Sequence, residues 1–520
     1  MRKPADKQTE TVTDSPGRTL AGTPTPANTF VILVLLGLCV AARLPFFFPA
    51  VIDWDESTLI LMGQSVLDGQ LPYTELWDNK PPVAFLAYAL LVAMFGKSVA
   101  AVRFGGFLVV TGTAYLTYVA GRSIWGGRAG LFAAALSILF ISTVPSGQAT
   151  MAEIIAILPL MGALAILLVK EHSSYTLFAA GLLLGVASLV RLNLAYVAFL
   201  VALYVLFKLL RTAPRSSITG VLAYVAGGLL PLILTASPYF FTGQGGLWIA
   251  SVFLAPLRYS DAGYSAIEAF TAQLQRGFST QALLWATSLL GAAWILVTRD
   301  RQTSRQRHGI ALVAVFLLGT TWSIVESGAA YPHYLIQIVP PLSLIAGFLL
   351  DCIVGTRYRL AFLGVFSLAL IVSVRPIVAQ YGRVSERLFT GQSLSYGAAY
   401  QIAAFLEKEN PHKKPVYLMT DHIAYWLTDT RPLTKATTHP SNIAKEYMLE
   451  TFAGRGASTQ SEMAKVLGMT PMFIVKEANQ WYLRMKPEAR HLLESVLAAD
   501  YMQVAEIDGR YIYKWRSHGR

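Results

Sequence analysis

Apolar runs long enough to cross a bilayer alternate with short polar connections over most of this chain. The first covers about residues 29–48. Others lie near 99–120, 129–146, 153–169, 174–190, 193–208, 218–239, 280–298, 309–326, 334–354 and 359–379. A crossing helix needs about 17–25 predominantly apolar residues, so the pattern predicts eleven spans, or twelve to thirteen if boundaries shift. Residues 82–97 (PVAFLAYALLVAMFGK) are apolar but slightly short. A full crossing there would turn over every later loop, so a half-inserted helix on the outer side is expected.

Basic residues set the orientation. The connections holding Arg122/Arg128, Lys170, Lys208/Arg211/Arg215, Arg299/Arg301/Arg305/Arg307 and Arg357/Arg359 carry twelve bases against Glu171 and Asp300. The positive-inside rule makes them cytoplasmic. The segments 49–81, 147–153, Arg191–Asn193, 240–280 and 326–333 then face out, and so does everything after residue 380.

Three regions follow. Residues 1–28 are rich in Thr, Pro and Lys/Arg without apolar periodicity, which predicts a disordered cytoplasmic tail. Residues 29–380 form the membrane body. In 381–520 charges become frequent, and β-like stretches (Val416–Met419, Met472–Val475, Tyr511–Lys514) alternate with helical patterns (Tyr400–Glu409, Glu488–Ala498). That is the pattern of a small outer α/β domain. The whole is therefore expected to be a polytopic α-helical membrane protein with a C-terminal α/β domain.

Composition agrees. Over 520 residues, 54% are hydrophobic and only 14% charged, where soluble domains carry about 25% charged residues. The net charge of +12 would suggest nucleic acid in a soluble protein, but here the bases sit in short loops. Cys39 and Cys352 both fall in apolar runs, so neither a disulfide nor redox chemistry is expected. No phosphate-binding glycine loop, metalloprotease helix, Cys/His cluster, serine elbow or dinucleotide fingerprint occurs. Nothing in the sequence therefore supports ATP-driven or redox chemistry. Divalent metal binding by Asp53, Asp55 and Glu56 stays open.

The first outer loop is the most informative. It holds six acids (Asp53, Asp55, Glu56, Asp68, Glu75, Asp78) and one base, Lys80, before two prolines. Apolar spacing at Leu59, Ile60, Met62, Val66 and Leu67 predicts an amphipathic helix on the membrane surface. Asp55 and Glu56 suit two roles: capping that helix against its dipole, or a general base whose basicity rises by partial desolvation. Lys80 suits a phosphate ligand or a neutraliser of neighbours such as Asp78. Glu153 begins a span, as a dipole-stabilised acid or a cavity group. Arg191 is a headgroup anchor or a phosphate ligand. His333 with Tyr334 is an interfacial anchor or a phosphate or proton site. Tyr334, Arg258 and Tyr259 are candidates for the substrate loop.

The acids after span one, then DGQLPYTELWDNKPP and FGKSVAAVRFGG, together with the later YPHYLIQIVPPLSLIAG, resemble the GT-C integral membrane glycosyltransferases. The closest resemblance is to glycosyltransferase family 39, which includes protein O-mannosyltransferases and lipid A aminoarabinose transferases. It covers roughly residues 30–380. It implies inverting transfer of a sugar from a polyprenyl-phosphate donor to a lipid, glycan or protein acceptor, on the periplasmic face of a bacterial inner membrane, with no cofactor required. The family's acidic motif maps onto Asp55 and Glu56, with Asp55 as base. Its second outer acid, often Asp, maps onto Glu153, and its lysine onto Lys80. Arg191 and His333 would help hold the donor phosphate. The rivals are a lipid-linked sugar transporter and a polysaccharide polymerase or ligase. A transporter should carry charges and broken helices near the bilayer midplane, whereas the candidate charges here gather at the outer boundary.

Overall fold

The computed structural model describes residues 26–170, 172–258, 265–326 and 328–516. The expected tail lies outside them as far as residue 25.

The membrane body is built from α1 (Pro26–Arg43), α2 (Trp54–Leu67), α3 (Pro82–Phe95), α4 (Val99–Trp125), α5 (Gly127–Thr143), α6 (Ala152–Val169), α7 (Ser174–Val190), α8 (Ala195–Thr212), α9 (Ser217–Phe241), α10 (Ala266–Val297), α11 (Ser304–Glu326), α12 (Val339–Val354), α13 (Arg359–Ser373) and α14 (Arg375–Phe389). Among the described residues, eight helices are long and apolar enough to cross a membrane. α5 and α7, at 17 residues each, fall just short of that length. The chain is thus a multi-pass membrane protein.

Three details differ from the sequence reading. The last apolar run is not one straight span: α13 and α14 meet at a bend of 51°, with Pro376 at the start of α14, where proline fits a first turn but cannot extend the preceding helix. The run near 280–298 begins earlier, because α10 starts at Ala266 and kinks at Gln281 (φ −141°, ψ 36°). The Gln281 side chain donates to Phe140 O at 2.6 Å, in the last turn of α5. Finally, α2 does not lie on a membrane surface. Glu56 through Gly63 are all buried, beneath α3 on one side and the C-terminal domain on the other. Thr58 donates to Thr438 O at 3.0 Å, and Trp426 Nε1 donates to Gln64 Oε1 at 3.0 Å. At Gly63 a Cβ would stand 2.7 Å from Tyr88 Cβ, so only glycine allows α2 and α3 to cross this closely.

Contacts group the connections at two ends of the bundle. Arg122 donates to Asn28 Oδ1 at 3.0 Å, Arg128 pairs with Asp351, and Gly309 abuts Ile124. The basic turns therefore share one end of the bundle. Arg43 closes the other end of α1, donating to Gly147 O at 2.7 Å and Gln148 O at 3.0 Å.

The C-terminal region packs on that second end, beside the 49–81 loop. It has α15 (Ala398–Glu409), α16 (Pro487–Asp500) and one sheet of β1 (Val416–Leu418), β2 (Phe473–Glu477), β3 (Tyr501–Ile507) and β4 (Arg510–Trp515). The strand order is β1-β2-β4-β3. β1 and β2 pair in parallel, and the other pairs are antiparallel. β3 was not anticipated, although Asp508-Gly509, with φ of 46° and 74°, is a strong two-residue hairpin signal.

Candidate active site

The 49–81 loop is held in place by buried hydrogen bonds. Asp53 is the N-cap of α2 and accepts from Asp55 N–H at 2.9 Å. The capping role therefore belongs to Asp53, which leaves the Asp55 side chain free. Trp77, fully buried, donates Nε1–H to Ser251 Oγ at 2.9 Å. Its carbonyl accepts from Thr438 and Asn442, each at 2.8 Å. Tyr73 donates to Lys80 O at 2.6 Å. These ties fix Lys80 beside α2.

Lys80 Nζ lies 3.2 Å from Asp55 Oδ2 and 3.2 Å from Asp78 Oδ1. The other Asp55 oxygen is 3.5 Å from His439 Nε2, contributed by the outer domain. His439 Nδ1 accepts from Ser441 N–H at 3.1 Å, so the neutral ring carries its proton on Nε2, facing Asp55. Burial opposes ionisation of Asp55, but Lys80, with His439 and His333 behind it, outweighs burial and holds the carboxyl well below the carboxylate range. This corrects the expectation that desolvation raises its basicity: a paired cation dominates instead.

Asp55, Asp78, Lys80, Arg191, Tyr334, Glu326 and His439 share the wall of one cavity of about 440 Å³. Arg191, in the turn between α7 and α8, places its guanidinium 4.5 Å from the Tyr334 ring. Glu153 is fully buried behind it, with Oε1 2.9 Å from Arg191 Nη1 and 3.8 Å from His333 Nε2. Glu153 therefore orients Arg191 from outside the cavity wall. His333 stacks on Tyr331, with centroids 5.5 Å apart, and also stands behind the wall.

Glu56 is not brought into this site. It is 2% exposed, accepts from Arg103 Nη2 at 2.7 Å and from Thr150 N–H at 2.7 Å. Arg103 also donates to Phe46 O at 2.8 Å. Glu56 thus joins α2, α4 and the 147–150 turn. Arg258 is also apart: its side chain is exposed, 4.0 Å from Glu450 Oε2. Tyr259 lies outside the described residues.

Sequence reasoning missed His439, Ser441 and Asn442, because residues almost 400 positions from Asp55 give no local signal of proximity. Lys445, from the same segment, is depressed by burial to about 8, against the pull of Asp55. Among the described residues no three His, Cys, Asp or Glu gather at metal-binding spacing.

A second, almost wholly apolar cavity of about 620 Å³ lies among α3, α4, α6 and α7. It includes Val83, three residues after Lys80, Val190, adjacent to Arg191, and Pro159 within α6.

The family model described as dolichyl-phosphate-mannose-protein mannosyltransferase matches residues 79–240, a stretch that contains Lys80, Glu153 and Arg191. No protein of curated function matches the chain in sequence. Among solved structures, the chain is similar to ArnT from Cupriavidus metallidurans in the apo state, with a TM-score of 0.58, 14% identity, and coverage of 94% of this chain and 98% of that one. The same protein bound to undecaprenyl phosphate gives a TM-score of 0.56 at 14% identity, covering 95% and 98%. The archaeal oligosaccharyltransferase AglB from Archaeoglobus fulgidus, in complex with an inhibitory peptide and a dolichol-phosphate, gives 0.52 at 12% identity, covering 95% and 75%. The chain has the GT-C fold that these membrane proteins share.

Proposed function

We propose that this GT-C-fold membrane protein is an inverting glycosyltransferase. In this reading it moves a sugar from a polyprenyl-phosphate donor to a hydroxyl or amine of a lipid, glycan or protein acceptor, on the periplasmic face of a bacterial inner membrane. The observation that carries the proposal is the shared cavity wall: Asp55, with Asp78 and Glu326, faces the same space as the cations Lys80 and Arg191. A group able to take a proton and groups able to hold a phosphate thus meet at the outer end of the bundle. The undecaprenyl phosphate bound to ArnT and the dolichol-phosphate bound to AglB support a lipid-phosphate donor here.

Asp55 takes the proton as the acceptor O–H or N–H attacks the anomeric carbon from the face opposite the phosphate. The carbon–oxygen bond to phosphate breaks, and its electron pair leaves with the polyprenyl phosphate. Lys80 and Arg191 meet the charge that grows there, where a water-poor wall strengthens their effect. The low proton affinity of Asp55 then has a use. Lys80 suppresses it while the two are paired; as Lys80 turns to the phosphate, that hold weakens and the carboxylate becomes a better base. The isoprenoid chain fits the apolar cavity among α3, α4, α6 and α7, whose rim adjoins both cations. Electrostatics for the step come from the chain's own residues, and no cofactor is invoked; retention of activity after dialysis against a chelator tests that part separately.

Purified protein, given a polyprenyl-phosphate sugar and a membrane-lipid acceptor fraction, should release free polyprenyl phosphate together with a glycosylated product. A transporter would move the donor and leave it intact.

A further inference from the structure

At the opposite end of the bundle a lysine and two histidines converge outside the proposed site. Lys208, on α8, is one turn inside a helix end, where a lysine ordinarily reaches out to water. Its ammonium turns inward instead. Nζ lies 3.0 Å from His308 Nε2, on α11, and 3.4 Å from His172 Nε2, in the turn between α6 and α7. The two imidazole rings are 5.6 Å apart with their planes tilted by 64°, and all three side chains are half-buried.

The hydrogen bonds do not close among these groups. His172 Nε2 is 3.1 Å from Leu167 O. A carbonyl only accepts, so that nitrogen carries a proton and cannot accept from Lys208. His172 Nδ1 is buried without a hydrogen-bond partner. His308 Nδ1 contacts the Tyr204 hydroxyl, which leaves its Nε2 as the one acceptor for Lys208. Two of the three Lys208 donors therefore lack an acceptor among the described residues, and His172 Nδ1, the lone-pair nitrogen of a ring protonated at Nε2, lacks a donor. Neither Lys208 nor the two histidines pair with a carboxylate among those residues. A phosphate anion would accept from the two open Lys208 N–H groups, and its charge would favour a second proton on His172, whose Nδ1–H then also donates to it.

We propose that His172, Lys208 and His308 bind a phosphate anion at the face opposite the Asp55 cavity. Basic pockets between helix ends at a membrane surface suit phosphate headgroups. The bearer is either an anionic phospholipid or free phosphate, and both present the same acceptor oxygens. This inference does not depend on the proposed transferase activity.

The full-length protein in neutral detergent is titrated with phosphatidylglycerol, phosphatidylcholine or inorganic phosphate, and melting temperature and retained lipid (by native mass spectrometry) are read. Phosphatidylglycerol should raise the melting temperature and be retained in preference to phosphatidylcholine. An equal response to inorganic phosphate would also support the site and make the free ion its ligand. Lys208→Gln with His308→Gln should weaken binding about tenfold or more, as expected for lost charge-assisted bonds. Lys208→Arg should retain it, and His172→Gln, in a turn, supplies a variant with little risk to folding that should also weaken it. The proposal is overturned if neither ligand shifts the wild type, or if the double variant keeps the full shift. It is equally overturned if only Glu171→Gln responds, because the cluster would then be neutralised from within the chain.

Discussion

Asp55 and Lys80 stand 3.2 Å apart on one cavity wall, brought there from the first turn of α2 and from the loop before α3. Asp78 shares the same ammonium. Both sequence-level roles of Lys80 therefore coexist: it neutralises its neighbours and it faces the cavity. Removing it should unbalance Asp55 and Asp78 as well as remove a phosphate ligand. Lys80→Met is expected to weaken donor binding about tenfold or more, from the loss of a charge-assisted bond. Donor KM or Kd measures it, and unchanged affinity would take Lys80 out of phosphate recognition.

The depressed Asp55 carboxyl has a consequence for acid stability. Its folded proton affinity lies below the unfolded value, so its contribution is present above the unfolded carboxylate pKa of about 3.9 and is lost as pH falls below it. Melting temperature should decline on acidification below about pH 4, and more steeply in wild type than in Asp55→Asn.

Lys445 supplies a pH effect at the alkaline end. Burial brings it to about 8, so it is cationic below that pH and neutral above. Its positive potential near Lys80 should favour a phosphate donor on the acid side. Donor affinity should therefore fall as pH rises through about 8, and Lys445→Met should flatten that limb. A limb of the same height in the variant would assign it to another group.

Glu153 and Glu56 are predicted to behave differently when neutralised. Glu153→Gln loosens Arg191 and should lower donor use with modest loss of stability. Glu56→Gln leaves the Arg103 guanidinium buried without its counter-charge, a change worth about 3–5 kcal/mol of stability when a buried pair is broken. Thermal melts of both variants beside donor binding distinguish them.

These contrasts show what the sequence could and could not reveal. The shortness of 82–97 and the bias of the basic loops argue for a half-inserted α3, and the helix is 14 residues long. The lone lysine among six acids drew attention to Lys80. Adjacent residues on a helix point about 100° apart, so Asp55 and Glu56 could not share one role, yet nothing local says which of the two faces the cavity. Arg103, 47 residues after Glu56, decides it. The α2 pattern suggested a membrane-facing helix because the outer domain that covers it arrives more than 350 residues later in the chain. His439 was invisible for the same reason. The C-terminal domain consequently completes the Asp55 environment. A chain ending near residue 385 should still insert, but its Asp55 would lose the His439 contact.

The central claim is that Asp55 takes the acceptor's proton during transfer from a polyprenyl-phosphate sugar. The direct measurement is release of polyprenyl phosphate from radiolabelled donor in a single turnover, by wild type and by Asp55→Asn in the same lipid, with acceptor present. Asn keeps the shape of Asp and cannot accept a proton at neutral pH. Wild type should release polyprenyl phosphate in step with product, while Asp55→Asn, although it melts somewhat below wild type, should remain folded and bind donor at the assay temperature but react about 10²–10⁴-fold more slowly. Full-rate release by Asp55→Asn, or an intact donor in the wild type, would contradict the account.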